Sequence, residues 1–107
     1  MSEFIQILTT VASKEDARTV ADRLVAERLV ACVQTDGPIE STYRWEGEVR
    51  RDEEWRCVIK TTAEAYDSVS ETIEAVHPYD TPEILATPVS DGQADYLQWI
   101  DDEVTVE

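Results

Sequence analysis

Ile39-Glu40-Ser41-Thr42-Tyr43-Arg44-Trp45, a Glu46-Gly47 pair, and a return near Val49 and through Trp55-Arg56-Cys57-Val58-Ile59-Lys60 decide how this chain folds. Two runs rich in β-branched and aromatic residues around a short glycine-containing turn read as one long, highly charged hairpin. The first run begins further back, at Ala31-Cys32-Val33, and Gly37-Pro38 interrupts it; strand-type residues resume afterwards, so the interruption reads as a bulge or bend. Working outward, Phe4 to Thr10 is short and mostly apolar, which suits a strand buried on both faces. Ser13, with Asp16 three residues on, caps an amphipathic helix carrying Ala17, Val20, Ala21, Leu24 and Val25 at helical spacing. Beyond the hairpin, Thr61-Thr62-Ala63-Glu64 reads as a capping box opening a second helix through Tyr66, Val69, Ile73 and Val76, which ends at His77-Pro78. Ile84 to Val89 is a further apolar strand, with Pro88 at its end or on an edge. Asp91-Gly92 breaks the chain, Ala94 to Asp102 forms a short closing helix, and Val104-Thr105-Val106 reads as a small terminal strand.

Strand, helix, strand, strand, helix, strand is the split βαβ order, an α+β sandwich of one antiparallel sheet with two helices on one face. The whole chain, residues 1–107, reads as a single domain. Two main helices cannot cover both sheet faces. Tyr43, Trp45, Trp55 and Ile59 are expected on the face left over, and that much exposed aromatic surface argues for oligomerisation.

The formal net charge is −15, and Lys14 and Lys60 are the only lysines among nine basic residues. Phosphate-backbone binding is therefore excluded as a function, and no nucleic-acid partner is expected. Disorder is excluded too, because 42% of the residues are hydrophobic and fall in periodic blocks. At molar salt the Debye length falls to about 3 Å and self-repulsion is screened, so the acidity points to a salt-adapted cytoplasm, with attraction of metal cations the alternative. No apolar run is long enough to span a membrane, and Met1-Ser2-Glu3-Phe4 does not open a secretory signal; a cytoplasmic location is expected. If Trp45 faces Glu48 across the turn, Cys57 falls opposite Asp36 and Cys32 opposite Thr61. That separates the cysteines by roughly 13 Å along the ladder, too far for a disulfide, so two free thiols are expected.

His77-Pro78-Tyr79-Asp80-Thr81-Pro82-Glu83 places the only histidine before two prolines, two carboxylates and a phenol. An imidazole in such company suggests metal ligation or proton transfer; equally, Pro78 ends a helix and leaves His77 in its last turn. An enzyme would use His77 as a base oriented by Asp80 or Glu83, with Lys60 on an anion. Neither a nucleophile in a recognised setting nor a phosphate loop or cofactor fingerprint accompanies it, so no catalytic activity is expected.

Ala31-Cys32-Val33, Tyr43-Arg44-Trp45-Glu46-Gly47, Ile59-Lys60-Thr61, the His77 to Glu83 segment and Asp95-Tyr96-Leu97-x-Trp99-Ile100 together resemble the CutA family of divalent-cation-tolerance proteins over nearly the whole chain. The resemblance implies a ferredoxin-like subunit in a homotrimer, with long hairpins joining sheets between neighbours, and a role in tolerance to divalent metals, copper foremost. It implies a ligand-binding region at Tyr43, Trp45, Lys60, Pro78, Tyr79, Asp80, Pro82, Glu83 and Trp99. A copper site would need three His77 side chains meeting at a trimer axis, or His77 helped by Cys32, Asp80 or Glu83, with no cofactor required. Some members are thought to hold copper through a first-strand cysteine and two adjacent histidines; here Thr9 and Val76 replace two of the three. Fold analogy with the trimeric nitrogen-regulatory proteins implies a ligand or signalling role instead. Lys60 has a structural alternative, pairing with Glu83, as Trp45 and Trp99 have in serving as interface anchors.

Overall fold

A computed structural model describes residues 3–106. The elements are β1 (Phe4–Val11), α1 (Lys14–Ala26), β2 (Cys32–Trp45), β3 (Glu48–Thr62), α2 (Tyr66–Val76), β4 (Leu85–Pro88) and α3 (Ala94–Glu103). The strands form one antiparallel sheet in the order β2-β3-β1-β4, the ferredoxin-like arrangement. α1 starts where its cap requires, with the Ser13 hydroxyl accepting the Asp16 N–H at 3.0 Å. The expected capping box at Thr61 to Glu64 does not form. β3 continues through Thr62, Thr61 Oγ1 donates instead to the Leu29 carbonyl at 2.7 Å, and a single 3-10 turn, Ala63–Ala65, leads into α2 without a side-chain cap. Val104 to Val106 make no strand; the Thr105 N–H is taken by the Arg28 carbonyl.

Alternation along the strands assigns the faces. Ile7 and Val11 of β1 pair with Ile59 and Trp55 of β3, and this face lies under α1 and α2 against Ala17, Val20, Leu24, Val69 and Ile73. Trp55 and Ile59 therefore belong to the helix-covered side and not to the free face expected of them. Ile59 is fully buried, and Trp55 packs against the core with Lys14 Nζ 5.8 Å from its ring. Tyr43 and Trp45 do lie on the open side, in phase with Glu54, Arg56, Val58 and Lys60. α3 covers only one end of that side, where Tyr96 approaches Cys32.

β1 stops opposite Trp55, whereas β2 and β3 remain paired from Ile39–Glu54 out to Trp45–Glu48. Seven pairs at strand rise carry the hairpin about 23 Å past the sheet, and the longest extent of the chain is 45 Å. The turn is tight because Glu46 and Gly47 both adopt positive φ, 51° and 80°. Gly37-Pro38 is the expected bulge: the register shifts between Asp36 and Ile39. That shift sets Cys32 opposite Lys60 and Cys57 opposite Thr35, one residue from the unbulged register, and both thiols are free. A Cβ at residue 37 would come within 2.7 Å of the Trp55 ring and 3.2 Å of the Glu54 carbonyl oxygen. Gly37→Ala should accordingly destabilise the fold by about 2 kcal/mol through overpacking, read as a lower midpoint in urea; an unchanged midpoint would show that the ring moves aside freely.

Candidate functional site

Pro78 cannot continue α2, so the backbone turns extended at His77 (φ −76°, ψ 135°) and drives the imidazole inward. His77 is only 8% exposed. Its Nδ1 accepts the Tyr79 N–H at 3.1 Å, so the ring proton resides on Nε2, which donates to the Thr10 carbonyl at 2.8 Å. The imidazole thus ties the end of β1 to the loop that follows α2, with the Tyr79 ring tilted against it at 4.8 Å between centroids.

Tyr79 extends the connection. Its hydroxyl donates to Glu54 Oε2 at 2.8 Å, and Glu54, 8% exposed, occupies the first β3 position beyond the end of β1. Beside it the Tyr43 hydroxyl donates to Asp52. Burial first, and the bond to Glu54 second, push the Tyr79 phenol well above its ordinary range; the bond to Asp52 raises that of the exposed Tyr43. Because the folded state favours the protonated phenol, this stabilisation is present below pH about 10 and is lost as pH rises above it. Tyr79→Phe should flatten the alkaline fall in stability, measured as melting temperature between neutral pH and pH about 11; an identical fall in both proteins would remove Tyr79 as its source.

The expected site residues fall into three places. Pro78, Asp80 and Glu83, all exposed, and half-buried Pro82 share the loop with His77 and Tyr79, and Tyr43 faces that loop from the hairpin. Trp45 stands at the hairpin tip, 45% exposed. Cys32, Lys60 and Trp99 gather at the α3 end: Cys32 Sγ lies 3.9 Å from the Tyr96 hydroxyl, whose ring packs on Trp99 at 5.5 Å, and Lys60 is the cross-strand partner of Cys32. The pairing of Lys60 with Glu83 does not occur. Lys60 makes no ion pair with a described residue, while Glu83 bears on Arg56, whose guanidinium grips Asp36 at 2.7 and 3.2 Å. Cys32 and His77 are not brought together, and among the described residues no three His, Cys, Asp or Glu side chains converge on a common point.

Glu54 and Thr10, the hydrogen-bond partners of Tyr79 and His77, were not expected from the sequence. One signal was available for Glu54: it lies on the same strand face as Tyr43, and β1 is too short to pass beside it. Nothing local distinguishes it from Glu53. A separate groove of about 750 Å³ between the start of β1, Pro88 to Gly92 and α3 contains none of the expected residues.

A four-stranded ferredoxin-like sheet with a projecting hairpin, a histidine-anchored loop after α2 and a short helix closing one end defines a small α+β domain. The family pattern described as CutA1 divalent ion tolerance protein matches residues 5–103, and the chain belongs to that family. It is 47% identical over 94 residues to the divalent-cation tolerance protein CutA of Thermus thermophilus, covering 88% of this chain and 91% of that protein. The Archaeoglobus fulgidus protein of the same name is 38% identical over 104 residues, 97% and 99% of the two chains. Among solved structures, CutA1 from Oryza sativa superposes with a TM-score of 0.96 at 36% identity over 99% of this chain and 97% of its own. The Thermus thermophilus structure gives 0.93 at 43% identity over 95% and 99%. An Arabidopsis thaliana relative is described as chloroplastic and the Archaeoglobus fulgidus structure as periplasmic. No helix among the described residues is long and apolar enough to cross a membrane.

Proposed function

We propose that the protein serves divalent-cation tolerance as a cytoplasmic homotrimer, meeting copper and other divalent ions weakly and requiring no resident metal. The observation that carries the assembly is the open sheet side: Tyr43 and Trp45 are 38% and 45% exposed, Leu85 of the edge strand is 56% exposed, and the inner edge of β3 from Glu48 to Glu54 has no strand beside it. Unpaired backbone and aromatic side chains on one projecting arm suit strand addition to a neighbouring copy. The charge of −15 draws cations to the surface, and concentrated salt screens the repulsion between subunits. Catalysis has no support, since both ring nitrogens of the one imidazole are spent on the fold.

Lys60 favours a second reading, a signalling trimer that binds a small anion. Its ammonium has no carboxylate partner among the described residues and lies in the Cys32, Tyr96 and Trp99 corner. A thermal-shift screen of nucleotides and small anions, with Lys60→Ala as control, separates the two: a shift lost in the variant supports signalling. For the first reading, cells lacking the gene should become more sensitive to copper and other divalent cations and recover with the native gene; unaltered sensitivity would contradict it.

A further inference from the structure

We infer that this chain holds no copper through His77 or Cys32, and that His77 is instead a structural latch between β1 and the 77–83 loop. The inference narrows the tolerance role proposed above to one without an imidazole- or thiolate-bound metal. The copper donors implied by the family fall at Thr9, Val76 and His77, and the structure tests each of them. Thr9 is fully buried, and its Oγ1 has no hydrogen-bond partner among the described residues. A neutral hydroxyl is a poor donor for copper, which prefers thiolate, thioether and imidazole. Val76 supplies no donor atom. At His77 the Nδ1 lone pair is occupied by the Tyr79 N–H, and Nε2 carries the proton given to the Thr10 carbonyl. Coordination at either nitrogen would break one of these bonds, taking from the Thr10 carbonyl or the Tyr79 N–H the contact that ties β1 to the loop.

Cys32 cannot complete the set. It pairs with Lys60, whereas the carbonyl bound by His77 belongs to Thr10, which pairs with Arg56. Four residues of β3 separate the two places, roughly 13 Å at strand rise, while two ligands of one ion lie within about 4 Å of each other given metal–donor bonds of about 2.0 to 2.3 Å. Symmetry offers no escape, because an imidazole with both nitrogens bonded inside its own chain cannot turn outward to meet two copies at an axis.

Electron spin-echo spectroscopy of Cu(II) added to the full-length native chain, His77→Gln and Cys32→Ser tests this directly. The modulation from a remote imidazole nitrogen should be absent in all three. Competition for Cu(I) against a chelating dye should give affinities equal within about twofold. Hydrogen exchange supplies the structural readout: the Tyr79 amide should be protected in the native chain, unchanged by copper, and deprotected in His77→Ala. Imidazole modulation in the native chain would overturn the inference, even if no variant folds. So would a tenfold loss of Cu(I) affinity in either variant, or a Tyr79 amide that exchanges freely in the native chain. None of those results touches the cation sensitivity of cells lacking the gene, so the tolerance role and the absence of a copper centre fail separately.

Discussion

His77→Ala should lower the stability of the folded chain by about 3 kcal/mol, combining a buried cavity with the loss of two hydrogen bonds. The ring is 8% exposed, and its removal takes away the bonds it makes to the Thr10 carbonyl and the Tyr79 N–H. The loop carries Tyr79 as well, so the bond to Glu54 weakens with the latch. Urea denaturation in concentrated salt measures the effect, and His77→Gln, which retains a donor toward Thr10, should recover part of it. A loss below about 1 kcal/mol would mean that water replaces both bonds and that the loop is held by its prolines alone.

Ile59→Ala should cost more, about 4 kcal/mol, because the side chain is fully buried at the centre of the sheet, paired with Ile7 and Val33 under the helices. The informative contrast is Trp45→Ala. Trp45 is 45% exposed at the hairpin tip, so its truncation should leave the stability of an isolated subunit nearly unchanged while weakening association. Denaturation at two protein concentrations separates these outcomes. A small effect of Ile59→Ala would overturn the face assignment on which the open side depends.

The hairpin, the bulge, the Ser13 cap and the two free thiols were legible in the sequence because each depends on residues close together or on a register set by one turn. Which strand face the helices cover was not. Trp55 and Ile59 look no less suited to an exposed aromatic face than Tyr43 and Trp45 do, yet both lie an odd number of residues from Glu48, the partner of Trp45, so alternation along β3 puts them on the opposite face, and pairing with Val11 and Ile7 of β1 sets that face under the helices. The same limit explains Thr61, whose hydroxyl finds a carbonyl 32 residues away rather than the helix start beside it. Lys60 and Glu83 are a plausible pair by charge, but Glu83 lies in the field of Arg56, four residues along β3 from Lys60. For the candidate site, the His77 to Glu83 segment was recognisable by composition and its rigidity followed from the prolines. Its chemistry depended on Thr10, Glu54 and the direction of one ring, none of which is encoded nearby.

The proposed homotrimer requires that the open sheet side and the projecting hairpin be completed by further copies of the chain. Sedimentation equilibrium of the full-length chain in molar salt measures this most directly. A single species of three times the chain mass is the result expected, with Trp45→Ala shifting mass toward one chain; a monodisperse monomer in the native protein would contradict the account.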